Sequence, residues 1–137
     1  MSLIPIEKLI PHRPPMRWIA SLESCSDTAA VGTAIFQPGD FPVAENSLLE
    51  SALVECVAQT VAASLARRAQ TADPFNRQFN GVLAAVSNFK IESKPPLGKT
   101  LRIEVRELKR FGPMLLVSGV ITCDGHLVAS GELTLNA

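Results

Sequence analysis

The sequence predicts an α+β domain in which one long helix is wrapped by a strongly curved antiparallel sheet. The segment from Ser47 to Arg68 carries apolar or small residues on almost every side of a helix. Such a helix needs cover all round, because a surface helix has only one apolar stripe. Four runs of strand-like composition follow it, and Asp124-Gly125 between the last two favours a tight antiparallel hairpin. A curved sheet around the helix accounts for these observations together.

The elements before the helix are short. IPIEKLI is an amphipathic turn of helix that ends at PHRPP, because proline lacks the backbone donor and restricts the residue before it. RWIASLESC and the run from Thr28 to Gln37 are predicted strands, and PGDFPVAEN is a loop that leads to the helix.

The ends of the long helix are predicted from two signals. Ser47 and Glu50 fit the S-x-x-E capping box, which places the helix start at Ser47. Arg67 and Arg68 fall in the predicted last turn, where the helix dipole favours cations.

The second half of the chain is predicted to be almost entirely β. Its strand-like runs are GVLAAVSNFKI, KTLRIEVREL, MLLVSGVITC and HLVASGELTL. Short turn segments separate successive runs, so we expect an antiparallel meander in chain order.

Composition bounds the class of protein. The 137 residues predict a single domain over 1–137, and 13 basic residues balance 13 acidic ones. With no net field to attract polyanions, a nucleic-acid partner is not expected. No apolar run reaches the roughly 20 residues of a membrane span, and no export signal is visible in MSLIPIEKLIPHRPP, so neither a membrane span nor export is expected.

The cysteines and histidines predict a cytoplasmic protein without a metal. Cys25, Cys56 and Cys123 are far apart and lie in apolar surroundings, as buried thiols of a reducing compartment do. The two histidines, His12 and His126, are separated by most of the chain and cluster with no other metal-ligating residues.

A polar stripe runs along the otherwise apolar helix. Ser51, Glu55 and Gln59 are spaced by four residues and therefore share one face. A carboxyl group in apolar surroundings keeps its proton more readily than one in water, which suits it to general acid or base catalysis. The alternative is that Glu55 faces solvent or a subunit interface and bonds Gln59. Periodicity leaves both interpretations open.

Several segments resemble one known family along nearly the whole chain. IEKLIPHRPPM, PGDFP, LVECVAQ and KPPLGKTLRIEV occur in the order found in the hotdog-fold 3-hydroxyacyl-acyl-carrier-protein dehydratases. The chain is most similar to the dehydratase-like branch associated with aryl polyene biosynthesis, which also carries P-H-x-x-P-M and E-x-x-A-Q segments.

The resemblance implies a hotdog fold and a homodimer with one continuous sheet, with a higher oligomer or a heteromer with a homologue as further possibilities. It also implies a substrate carried on phosphopantetheine, as an acyl-carrier-protein or coenzyme A thioester, and no other cofactor. In these enzymes a helix glutamate of one chain faces a histidine of the other. Glu55 matches that glutamate.

The catalytic histidine of the family is not kept. The segment reads Gly39-Asp40-Phe41-Pro42, with aspartate at the position of the histidine. His12, in a segment stiffened by prolines, is the first candidate to replace it, and Asp40 is the second. The alternatives are that His12 caps the short helix or bonds a backbone carbonyl, and that Asp40 makes an ordinary turn bond.

Other residues are predicted to contact the substrate or its carrier. Asp40, Phe41, Gln59 and Phe79 are the predicted substrate-binding residues. The family often has a tyrosine as an aromatic gate after the helix, and in this chain without tyrosine Phe75 and Phe79 are the candidates to replace it, with a place in the buried core as the alternative for at least one of them. A patch for an acidic carrier protein could comprise Arg67, Arg68, Arg77, Lys90, Lys94 and Lys99.

The expected activity is dehydration of a 3-hydroxyacyl thioester to the trans-2-enoyl thioester, with Glu55 and His12 as catalytic residues. The loss of the family histidine leaves two alternatives. One is a thioesterase of the same fold that uses the helix carboxylate, and the other is an inactive acyl-binding partner subunit.

Overall fold

The structure is a computed structural model that describes residues 5–11, 16–44, 47–72 and 82–136. A single helical turn at Ile6–Lys8 precedes the first strand. The remaining elements are β1 (Ser21–Cys25), β2 (Ala29–Ile35), β3 (Val43–Ala44), β4 (Ser47–Leu48), α1 (Glu50–Ala72), β5 (Val82–Ile91), β6 (Thr100–Phe111), β7 (Met114–Cys123) and β8 (His126–Asn136).

One antiparallel sheet covers the long helix, which confirms the predicted architecture. Its six strands lie in the order β1-β2-β6-β7-β8-β5, and β3 and β4 form a separate small pair. Helix α1 contacts all six strands of this sheet, from one edge to the other, so the sheet curves around it. No helix in the described part of the chain combines the length and apolar character of a membrane span.

The meander prediction is wrong for β5. Strands β6, β7 and β8 do form a meander, but β5 pairs with β8 at the far edge instead of with β6. The connection from β5 to β6 crosses the end of the β7–β8 hairpin, where Glu92 N donates to Val128 O at 2.8 Å. Further along, Gly98 N donates to Phe36 O at 2.7 Å. The segment KPPLG in this loop has the composition of a tight turn, so the sequence predicted a hairpin between β5 and β6 instead of a crossing connection.

The predicted helix ends are also wrong. Ser47 pairs with Ala44 in a strand, so it cannot cap a helix, and α1 starts at Glu50. Leu49 N donates to Pro42 O at 2.9 Å, which fixes the chain just before the first turn. The helix continues to Ala72, so Arg68 lies a turn before its end and has other partners.

The hairpin between β7 and β8 is confirmed. Asp124 and Gly125 have φ values of 51° and 80°, as a two-residue turn with both central residues left-handed requires. His126, at the start of β8, is exposed as predicted.

Glycines in the sheet let the helix approach closely. A Cβ atom built on Gly119 would lie 2.6 Å from Val57 Cγ1, and one on Gly32 would lie 2.7 Å from Thr60 Oγ1. Thr60 is completely buried and donates its hydroxyl hydrogen to Cys56 O at 2.8 Å. The contacts fix the height of α1 above the sheet and therefore the depth at which its polar stripe lies.

Candidate active site

The polar stripe of α1 runs from solvent into the core. Ser51 is exposed, Glu55 is half-buried and Gln59 is completely buried. The four-residue spacing places them on one face, and the face becomes covered where the segment before β1 lies across it. Glu55 therefore stands at the boundary between water and the apolar interior.

Gln59 ties this helix to the segment that precedes β1. Its Oε1 accepts hydrogen bonds from the backbone nitrogens of Trp18 and Ile19, at 2.9 and 3.3 Å. Its Nε2 donates to Met16 O at 2.9 Å and to Glu55 Oε1 at 3.3 Å. One side-chain amide thus bonds three backbone groups of residues 16–19, which belong to no strand.

The amide of Gln59 is fully used by these four bonds. A glutamine side chain offers two donor hydrogens and two acceptor lone pairs, and each one has a partner here. A substrate hydroxyl could bond Gln59 only by displacing one of them. The geometry therefore favours the role of holding Glu55 over that of contacting substrate.

Glu55 is held through one of its carboxylate oxygens. Gln59 donates to Oε1, which fixes the direction of the carboxyl group relative to the helix. The adjacent Cys56 thiol is completely buried, and its pKa is raised first by this burial and second by the negative charge of Glu55. The arrangement gives one oriented carboxyl group, suited to proton transfer, beside a thiol kept neutral.

A pocket of about 370 Å³ lies beside Trp18. It brings together Asp40 and Phe41, two of the predicted substrate-binding residues, and its full lining is Arg17, Trp18, Ile35, Phe36, Gly39, Asp40, Phe41 and Pro42. The side chain of Phe41 is 63% exposed, and Trp18 meets Phe36 edge to face with 6.4 Å between ring centroids. Since Gln59 bonds the backbone of Trp18, the stripe and this pocket wall are directly connected.

Asp40 makes hydrogen bonds within its turn, which is the role that the sequence offered as the alternative to catalysis. Its Oδ2 accepts from Gln37 N at 2.8 Å, and its own backbone N donates to Gln37 O at 3.1 Å. The Asp40 side chain is nevertheless exposed and lines the pocket. Turn chemistry fixes where the carboxylate sits, and contact with a substrate there stays a prediction.

Three predicted site residues lie outside the described residues. They are His12, Phe75 and Phe79. The catalytic role of His12 and the gate role of the phenylalanines stay predictions.

The six predicted basic residues do not form one patch. Arg68 bonds Asp27 O and pairs with Glu107 at 3.6 Å near the end of α1. Lys94 lines a pocket with Glu50 at the start of the helix. At 1.5 Å per residue, Glu50 and Arg68 are separated by about 27 Å along the axis. Arg77 lies outside the described residues.

Sequence reasoning missed the role of Arg17 and Trp18 in the pocket. Both occur in a stretch read as part of a strand, but β1 begins only at Ser21. The available signal was Gln59 itself, because a buried amide must find hydrogen-bond partners. That signal says that partners exist without saying which backbone groups they are.

The fold and site together define a hotdog-fold protein with a carboxyl-bearing central helix. The dehydratase heterocomplex ApeI:P from Xenorhabdus doucetiae matches with a TM-score of 0.89 at 16% identity, over 98% of this chain and 91% of that one. A hypothetical thioesterase from Streptococcus pneumoniae, solved with coenzyme A, matches with a TM-score of 0.68 at 14% identity, over 85% and 86% of the chains. These likenesses confirm the fold.

The chain belongs to the ApeP-like family of ApeP dehydratases, which matches residues 4–136. The 3-hydroxyacyl-[acyl-carrier-protein] dehydratase FabZ of Clostridium perfringens is 26% identical over 145 residues, covering 97% of this chain and 96% of that protein. The FabZ of Geobacillus sp. is 29% identical over 136 residues, covering 93% and 89%. The predicted family is confirmed.

Proposed function

We propose that the protein removes water from a 3-hydroxyacyl thioester carried on phosphopantetheine and releases the trans-2-enoyl thioester. The observation that carries the proposal is the half-buried Glu55 carboxyl, oriented by Gln59 on the central helix. Membership of a dehydratase family and similarity to FabZ proteins support it.

In the proposed reaction Glu55 is the general acid. The C–H bond next to the thioester breaks, its electrons form the double bond, and the C–O bond to the hydroxyl breaks. Glu55 donates the proton that turns the departing hydroxyl into water. The hydrogen bond from Gln59 Nε2 to Oε1 orients the Glu55 carboxyl group for this transfer.

The base that takes the α-proton is His12 or Asp40. An imidazole titrates near neutral pH and matches the task better than an exposed carboxylate. The Oδ2 atom of Asp40 already accepts a hydrogen bond from Gln37 N, so one of its two oxygens is engaged in the turn. We therefore assign the base to His12 first.

The edge of the sheet supports a dimer. β5 is the last strand of the six-stranded sheet, and the side chains from Ala84 to Asn88 along it are exposed, including Val86 at 45%. A long open edge with an exposed apolar side chain is suited to pair with a second chain. We propose a homodimer joined there. Because ApeI:P is a heterocomplex, a homologous partner is the alternative outcome of a test.

The three free thiols, Cys25, Cys56 and Cys123, fit the proposed cytoplasmic setting. There the acyl group would arrive on acyl carrier protein or coenzyme A. Neither the proposed proton transfers nor the loss of water calls for a cofactor beyond phosphopantetheine.

The test is intact mass spectrometry of a 3-hydroxyacyl carrier protein incubated with the wild-type chain, Glu55→Gln and His12→Ala. Wild type should convert the substrate to a product lighter by one water, and Glu55→Gln should not. Glu50→Gln is the matched control, because Glu50 is an exposed glutamate at the start of the same helix. Circular dichroism should show that each variant folds.

The other outcomes identify the alternatives. Loss of the whole acyl group would mean a thioesterase. An unchanged mass, also after a homologous subunit is added, would contradict dehydration by this chain. Full activity of Glu55→Gln would remove the proposed mechanism, and full activity of His12→Ala would move the base to Asp40.

A further inference from the structure

The pocket beside Trp18 is chemically divided. Its walls are mainly apolar or aromatic, from Trp18, Ile35, Phe36, Phe41 and Pro42, and its charged groups are Arg17 and Asp40. At about 370 Å³ it falls within the range of small-molecule sites, roughly 300–1,000 Å³. Its occupant should therefore be mostly apolar, with an anionic group at one point.

Arg17 has donors to spare for such an anion. Its guanidinium lies 3.6 Å from Glu7 Oε2, which is longer than a hydrogen bond, and the side chain is 27% exposed. Among the described residues, no acceptor bonds Arg17 Nε, although that atom is shielded from solvent. The flat, forked guanidinium can bind two oxygens of a phosphate at once.

Asp40 adds an acceptor to the same pocket. Its Oδ2 accepts from Gln37 N, so the carboxylate is fixed in place on its turn. A carboxylate repels a phosphate but accepts hydrogen bonds from amide and hydroxyl groups. The ligand should therefore carry its phosphate towards Arg17 and a neutral donor towards Asp40.

We propose that this pocket receives the phosphopantetheine arm of the substrate, with the phosphate on Arg17 and an amide or hydroxyl of the arm on Asp40. The inference rests on the proposed function, because it names how that substrate is held. Phosphopantetheine has the required parts: a phosphate at one end, a chain with a hydroxyl and two amides, and a thioester at the other end.

The position of the pocket relative to Glu55 agrees with this assignment. Trp18 forms part of the pocket wall, its backbone N bonds Gln59 Oε1, and Gln59 Nε2 bonds Glu55. One side chain, Gln59, thus links the Trp18 wall of the pocket to Glu55, and the proposed arm passes Trp18 with its thioester end towards Glu55. Arg17 is a binding residue in this arrangement, and Gln59 is a positioning residue.

The test compares two thioesters that differ only in the phosphate: 3-hydroxyacyl phosphopantetheine and 3-hydroxyacyl pantetheine. Arg17→Ala should raise KM about tenfold or more for the phosphorylated substrate and leave KM for the other within about twofold. Arg17→Lys should recover part of the loss, since it keeps the charge without the fork. Arg102→Ala, an exposed arginine on β6 bonded to Glu104, is the matched control.

Equal losses with both substrates would mean that Arg17 only supports the fold, and no loss with either would mean that the pocket is not used. Each would overturn the inference. The acyl-carrier-protein and coenzyme A thioesters contain the same phosphate-bearing arm, so Arg17→Ala should weaken both. The more efficient wild-type substrate identifies the natural carrier.

Direct binding separates this inference from the proposed function. Calorimetry with phosphopantetheine and pantetheine needs no turnover. If wild type is inactive but binds phosphopantetheine more tightly than pantetheine, and Arg17→Ala removes the difference, the function fails and the inference stands. Equal binding of the two compounds by wild type would overturn the inference, whatever the activity.

Discussion

Replacing Gln59 with leucine tests whether one amide holds the segment before β1. The change removes the acceptor for Trp18 N and Ile19 N and the donor to Met16 O and Glu55. Leucine has a similar volume, so the helix still packs against the sheet. The perturbation is therefore almost purely a loss of hydrogen bonds.

The expected cost follows from which groups lose their partner. Ile19 is buried, at 1% exposure, so its backbone N–H would be left without water or protein, at about 1–3 kcal/mol. Trp18 is half-buried and Met16 is 46% exposed, so their backbone groups can recover some hydration. With these smaller losses, the free energy of unfolding should fall by about 2–5 kcal/mol.

Urea unfolding followed by circular dichroism measures this free energy. Turnover of Gln59→Leu should fall as well, because both Glu55 and the Trp18 wall lose their support. Gln59→Glu is an informative companion: it keeps acceptors for Trp18 and Ile19 but places a second carboxylate against Glu55. A destabilisation of Gln59→Leu below about 1 kcal/mol would refute the reasoning, since it would mean that the buried amide groups find partners elsewhere.

Three further predictions concern packing, titration and turns. Gly119→Ala should destabilise by about 1–3 kcal/mol because its Cβ would meet Val57 Cγ1 at 2.6 Å. Val57→Ala should recover part of that loss in the double mutant, as urea titrations of all four proteins would show. Burial raises the pKa of the Cys56 thiol above its ordinary value of 9.0. The thiol therefore ionises at a lower pH in the unfolded protein than in the folded one, and the free energy of unfolding falls as the pH rises above 9.0. This decrease in the free energy of unfolding, at most about 1.4 kcal/mol per pH unit, should be smaller in Cys56→Ala than in the wild type. Equal decreases in the two proteins would contradict the prediction. Gly125→Ala should cost about 1–2 kcal/mol in thermal unfolding because its φ is 80°.

Local patterns predicted the elements well because each is dictated by its own residues. The helix needs cover on all sides, and the Asp124-Gly125 turn needs two left-handed residues, so both are visible in the sequence. The place of β5 is not local. Its partner β8 lies at the end of the chain, and nothing in the turn after β5 distinguishes a hairpin from a crossing loop.

The helix start failed for a different reason. Ser47 and Glu50 satisfy the spacing of a capping box, but Ser47 finds a strand partner in Ala44, which tertiary structure supplies and spacing cannot reveal. The candidate site shows the same division. Glu55 could be predicted from the residue pattern of the helix. The pocket of Arg17 and Trp18 could not, because it depends on how residues 16–19, which belong to no strand, pack against the helix.

The strand order has a consequence for how the chain folds. The β6–β7 and β7–β8 pairs are hairpins and close over short turns, but β2 pairs with β6 and β5 pairs with β8 across long stretches of sequence. Loop closure over such distances is slow, so we expect the three-stranded meander to form early and the two flanking strands to join late. Folding should then take milliseconds to seconds, as in other proteins dominated by non-local pairing. During that interval both outer strands of the meander are open to the wrong partner.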